Sequence, residues 1–270
     1  MVTRKKIKDT TKAKAPSKAK HEKAIEAFNR GIELVGAGKI TEALKCFNDS
    51  LILDSNNALA WHNKGTLLVQ LDHCQEAVDC FNMAVRIDPM KNFIWANLGI
   101  ALAKLSRFDE AMKALNKALT LKENDPKVLV NIGSTLNDMG KYEEALPHLN
   151  KAVELRPDYD KAWCNKAATL ANLGKLAEAL VCFGMALEIN PRYAKAWFGK
   201  AETMRKFGNL KEAELAIEKG LDLEPGSSDG WYYKGTILMD KGDADGAKKA
   251  YEKAKELGCK AETIVDFRWI

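Results

Sequence analysis

The sequence has no apolar run long enough to cross a membrane. Its longest uncharged apolar stretch, between Glu178 and Glu188, is nine residues, against the roughly 20 that a spanning helix needs. The opening MVTRKKIKDTTKAKAPSKAKHEK lacks the apolar h-region of a secretory signal, and its acids and single Arg make a poor transit peptide. Histidine is scarce: four residues, at 21, 62, 73 and 148, none in an HxxxH or HExxH setting. The six cysteines, at 46, 74, 80, 164, 182 and 259, form no CxxC pair, which argues against a disulfide framework and against a zinc site. Also missing are a phosphate-cradling Gly loop and a nucleophile elbow. The expectation is a non-catalytic protein with no metal and no cofactor, in a reducing, cytoplasmic compartment.

What is present is ordinary for a soluble fold: 46% apolar and 29% charged residues in a chain of 270. The charge is unevenly placed. Residues 1–23 hold eight Lys and one Arg against Asp9 and Glu22, a net of +7, and residues 262–270 carry −1. With a total of +5, the 238 residues between them carry only −1. The basic character belongs to a tail and says nothing of the body.

That body repeats. Ala43, Ala77, Ala111, Ala145, Ala179, Ala213 and Ala247 stand 34 residues apart. Twelve residues before each is a small residue (Gly31, Gly65, Gly99, Gly133, Ala167, Ala201, Gly235), and four after each is a large apolar one, from Phe47 to Tyr251. Seven repeats starting at 24, 58, 92, 126, 160, 194 and 228 account for residues 24–261 without a gap. Each reads as two amphipathic helices. Between them come Gly38, Asp72, Ser106, Gly140, Gly174, Gly208 and Gly242, residues suited to turning the chain. Pro89, Pro157, Pro191 and Pro225 close several second helices. Small residues at the crossings let paired helices approach closely, and no repeat buries its apolar face without a neighbour.

These repeats resemble the tetratricopeptide repeat family, whose signature W-x2-L-G-x2-Y…A-x3-F…P reads here as Trp95, Leu98, Gly99, Leu102, Ala111, Leu115 and as Trp61, Gly65, Leu68, Ala77, Phe81, Pro89. The resemblance covers 238 of 270 residues. It implies an all-α, right-handed superhelical solenoid of antiparallel helix pairs, with the first helices lining a concave groove that binds a protein or peptide. It also implies that the second, fifth, sixth, ninth, twelfth and thirteenth positions of each repeat face that groove.

On that frame the sixth position is Asn29, Asn63, Asn97, Asn131 and Asn165, then Gly199 and Tyr233. An amide bonds a peptide N–H and C=O together, so a ladder of Asn suits an extended ligand backbone; the competing reading is that each Asn bonds locally. The second position is Lys127, Lys161 and Lys195 in repeats four to six, with Arg205 nearby, and these point to an acidic partner segment or else are ordinary solvated charges. Repeats one to three offer apolar groups there instead, Phe93 among them, and His62 holds a fifth position. Some relatives clamp a terminal carboxylate with Lys, Asn, Asn, Lys and Arg across three repeats, and no window here supplies all five. The Trp column (Trp61, Trp95, Trp163, Trp197, Trp231) reads as core, and Cys46, Cys80 and Cys182 as packing residues.

Two terminal pieces remain. Residues 1–23 read as a disordered solubilising tail; the alternative is a nucleic-acid or ribosome-associated adaptor that uses this tail. Residues 262–270, with Ile264, Val265, Phe267, Trp269 and Ile270, read as a short apolar cap on the seventh repeat, with a motif that enters another molecule's groove as the alternative.

Overall fold

The computed structural model describes residues 18–259. The tail over residues 1–17 and the apolar piece over 262–270 lie outside the described residues. Fourteen helices and no strands are present among those described. The chain divides into two compact units, Met1–Arg107 and Phe108–Ile270, and the boundary falls between the two helices of the third repeat.

The N-terminal unit holds α1 (Lys18–Gly36), α2 (Ile40–Leu53), α3 (Ala58–Gln70), α4 (Cys74–Ile87) and α5 (Asn92–Lys104). α1 packs on α2, α3 on α4, and α5 against α4. α1 has 19 residues where α3 and α5 have 13, so residues 18–23, expected to belong to the tail, are helical. Under the pairs lie Ala43, Phe47 and Leu67, with Phe28 and Leu34 at their edge.

The C-terminal unit holds α6 (Phe108–Leu121), α7 (Pro126–Asp138), α8 (Tyr142–Leu155), α9 (Asp160–Asn172), α10 (Leu176–Ile189), α11 (Ala194–Lys206), α12 (Leu210–Leu223), α13 (Ser228–Asp240) and α14 (Ala244–Glu256). From α7 onward each odd helix pairs antiparallel with the even helix that follows it. Each even helix also packs on the next odd one, and α7, α9, α11 and α13 touch in sequence. Pro147 sits inside α8 without ending it; near the helix start its missing N–H removes little of the hydrogen-bond ladder.

The small column is where paired helices cross. A Cβ on Gly65 would sit 2.9 Å from the Phe81 ring, and one on Gly133 would sit 2.6 Å from Leu149. Both distances are shorter than real Cβ contacts, so the crossing distance is set by the missing methyl. The turn column is equally uniform. All seven turn residues have left-handed backbone, from φ 58° at Ser106 to 88° at Gly208. In each turn the N–H after that residue reaches back to a carbonyl five residues earlier, as His73 to Leu68 and Lys141 to Leu136, which closes the first helix in a Schellman turn.

Candidate functional site

On each first helix the second and sixth positions are i and i+4 neighbours on one face. The second position is exposed in every repeat, as Ile25, Leu59, Phe93, Lys127, Lys161, Lys195 and Asp229. The fifth position behaves otherwise. Ala96, Val130, Cys164 and Phe198 are buried, so the expectation that this position faces an open groove is corrected for repeats three to six. Phe198 fills space that a Cβ on Gly230 would share, 2.8 Å from its ring. The sixth position turns to Gly199 in repeat six, where the Phe183 ring occupies the space a Cβ would take.

In the N-terminal unit the face is apolar with amides between. Ile25 and Leu59 are each 44% exposed and Phe93 37%. His62, Phe93 and Asn97 come together: the His62 ring meets Phe93 edge-on with centroids 4.9 Å apart. The Asn97 amide Nδ2 donates to His62 Nε2 at 2.8 Å. Burial lowers the pKa of His62, opposed by its hydrogen bond with Asn63, so the ring is a neutral packing group. Asn29 makes no side-chain hydrogen bond among the described residues.

In the C-terminal unit the open face carries charge. Lys127, Lys161 and Lys195 are exposed on α7, α9 and α11. Burial raises the pKa of the Asp138 carboxyl, and Lys195 works against that shift; this lysine therefore has a carboxylate neighbour. Asn131 makes no side-chain hydrogen bond among the described residues, whereas Asn165 donates to the carbonyl of Lys161 at 2.8 Å, a local bond. The next-repeat link here is Asn137, whose amide and the Thr169 hydroxyl lie 2.9 Å apart.

Arg205 is not a free cation. Its Nε and Nη2 donate to the two oxygens of Glu202, at 2.8 and 2.9 Å, and its Nη1 donates to Asp240 at 2.5 Å. The hydrogen bonds it donates to Glu202, and then to Asp240, raise its pKa against the cost of burial. The guanidinium that the sequence offers as a groove cation thus has three of its N–H donors engaged within the chain, by Glu202 and Asp240.

The Trp column is half-buried and works as a clasp. Each indole Nε1–H donates to the carbonyl six residues back: Trp61 to Ser55, Trp95 to Pro89, Trp163 to Pro157, Trp197 to Pro191 and Trp231 to Pro225, at 2.8–3.0 Å. Lys64, Lys166, Lys200 and Lys234 lie over four of these rings. The indole N–H groups thus tie each of these first helices to the loop before it. Burial pushes the thiols of Cys80 and Cys164 up to about 11 and raises those of Cys74 and Cys182; thiols held protonated are poor nucleophiles and poor metal ligands. No group of three potential metal ligands occurs among the described residues, and no described helix is long and apolar enough to cross a membrane.

Comparison with known families places these repeats. Profiles described as Tetratricopeptide repeat match residues 93–125 and 160–193, and 28–92 and 205–259; one described as TPR repeat matches 133–174. The chain belongs to the tetratricopeptide repeat family. Comparison with curated proteins gives no match. Among solved structures, a tetratricopeptide repeat protein from Parabacteroides merdae superposes with a TM-score of 0.74 at 18% identity, covering 89% of this chain and 95% of that one. PilF of Pseudomonas aeruginosa gives 0.64 at 18% identity over 81% and 100% of the two chains. A thermophilic tetratricopeptide protein from Thermus thermophilus gives 0.59 at 24% identity over 63% and 93%. At such identities the likeness speaks for the fold alone. The tetratricopeptide architecture is an interaction scaffold for protein partners.

Proposed function

We propose that this tetratricopeptide chain is a non-catalytic scaffold that holds an extended segment of a protein partner on the open face of its first helices. The observation that carries the reading is the pairing of positions two and six. In each of the first five repeats an exposed side chain at position two stands one helical turn from an Asn. One anchor and one amide per repeat suit a ligand whose side chains need pockets and whose backbone needs donors and acceptors.

The two units differ in what they accept. The N-terminal unit offers Ile25, Leu59 and Phe93 to apolar side chains, with His62 as a neutral wall. The C-terminal unit offers Lys127, Lys161 and Lys195, a row that favours acidic side chains or a carboxylate. Arg205 takes no part. The free thiols fit a reducing compartment such as the cytoplasm.

The test is a pull-down with the wild-type chain and an Asn131→Ala/Asn165→Ala double variant, read by mass spectrometry. Partners held through the amides are lost from the double variant. An identical set retained at equal abundance would overturn the role given to the Asn side chains.

A further inference from the structure

Exposed large apolar side chains occur on second helices and loops of both units, among them Ile52, Met90, Val181 and Leu215, but on first helices they are confined to the N-terminal unit: Ile25, Ile32, Val35, Leu59 and Phe93 lie on α1, α3 and α5, and none lies within α7, α9, α11 or α13. A contiguous apolar patch rimmed by polar groups marks an interaction surface. The last two helices, α13 and α14, leave no large apolar side chain exposed among the described residues, so the seventh repeat presents little for an apolar cap to cover.

The chain itself contains a segment of matching chemistry. Residues 264–270 read Ile-Val-Asp-Phe-Arg-Trp-Ile, five apolar residues of seven. We propose that residues 264–270 of one copy dock, extended, on the α1–α3–α5 face of a second copy, which makes the chain a head-to-tail self-associating scaffold. This rests on the peptide-binding reading above and names its occupant. Docked in an extended form, the segment would turn Val265, Phe267 and Trp269 to one side and Ile264, Asp266, Arg268 and Ile270 to the other, and the proposal sets the first three against the patch. Seven extended residues span about 23 Å, about twice the 10–12 Å width of a helix with its side chains. Asn29, exposed on α1, then stands where the segment's peptide groups need a partner.

The face belongs to repeats one to three and the segment follows repeat seven, so every copy carries one acceptor and one donor. That is a heterologous contact, which closes into a ring or grows as a chain.

The experiment is light scattering of the full chain over a concentration series, with two double variants. Ile25→Asp/Phe93→Asp spoils the face and Phe267→Ala/Trp269→Ala spoils the segment. The expected result is a wild-type mass that rises with concentration, two monomeric variants that melt like wild type, and a dimer when the variants are mixed, because one intact face then meets one intact segment. A fluorescent peptide of residues 260–270 provides a reading independent of how the variants fold; it should bind the wild-type chain and bind the face variant about tenfold or more weakly. A wild type that stays monomeric throughout, a mixture that fails to associate, or a peptide that does not bind overturns the proposal. If the wild type is monomeric while the face variant loses an external partner, self-docking falls and the peptide-binding reading stands.

Discussion

His62 and Asn97, 35 residues apart, are joined by a 2.8 Å hydrogen bond in which the amide Nδ2 donates to the imidazole Nε2. Nε2 can accept only while the ring is neutral there, so the proton of the neutral ring sits on Nδ1. The bond ties the second repeat to the third beside Phe93, and protonation of Nε2 would break it.

A pH dependence follows. Burial holds the folded-state pKa of His62 below its ordinary 6.5, so the unfolded chain binds more protons in the interval between the two values. Stability is therefore complete above about pH 6.5 and falls as pH drops through that interval toward the folded-state pKa. His148 on α8 is shifted the same way by burial and contributes likewise. Urea midpoints measured through the acid range should decline for the wild type and decline less steeply for His62→Gln. Equal slopes would contradict a neutral, hydrogen-bonded His62.

The Arg205 clasp predicts an asymmetry between single and double changes. Arg205→Leu leaves the carboxylate of Glu202, 19% exposed, without its bidentate partner and should cost about 1–3 kcal/mol. Pairing it with Glu202→Gln should recover part of that loss. Chemical denaturation of the three variants checks this. Additive losses would mean that the clasp is a surface pair of little consequence.

At the crossings, Ala145→Leu should overpack a fully buried position and cost roughly 1–3 kcal/mol. Gly133→Ala should also destabilise, despite the better helix propensity of Ala, since its methyl meets Leu149 at 2.6 Å. Shortening Leu149 to Ala in the same chain should abolish the extra cost of that methyl. Thermal melts that leave Ala145→Leu at the wild-type midpoint would refute the crossing.

Ser106 has φ 58°, a backbone that disfavours side chains. Ser106→Gly should stabilise by about 0.5–1 kcal/mol, because the strain relieved exceeds the added freedom of the unfolded chain. Asp72→Gly, at the equivalent turn, should gain less, because Asp72 also pairs with Lys104.

The period was legible because packing imposes it. Gly65 under Phe81 and Gly133 under Leu149 are the same steric requirement met twice, and steric requirements leave identical residue types at identical spacing. The turns were legible for the same reason. What escaped were contacts between repeats. His62–Asn97 and Arg205–Asp240 are 35 residues apart, and Asn137–Thr169 and Asp72–Lys104 are 32 apart. These offsets arise because successive first helices lie side by side with a small axial shift, and a search for complementary residues at those separations would have found all four pairs. The burial of Phe198 had no such signal, since it depends on the small residues Gly220 and Gly230 leaving room for its ring.

The lysine row has its own test. Lys127→Glu/Lys161→Glu/Lys195→Glu should weaken an acidic partner and slow its association, most strongly at low ionic strength. Equal association rates at low salt would remove the charge selectivity and leave the fold unaffected.

The most direct measurement of the central claim is a hydroxyl-radical footprint of the chain with and without its captured partner, since the radical labels exposed side chains wherever they lie. Protection of Ile25, Leu59 and Phe93 on the first helices, with Ile52 on α2 and Val181 on α10 labelled as before, is the predicted result. Protection of Ile52 and Val181, with Leu59 and Phe93 still open, would place the partner on the second helices and contradict it.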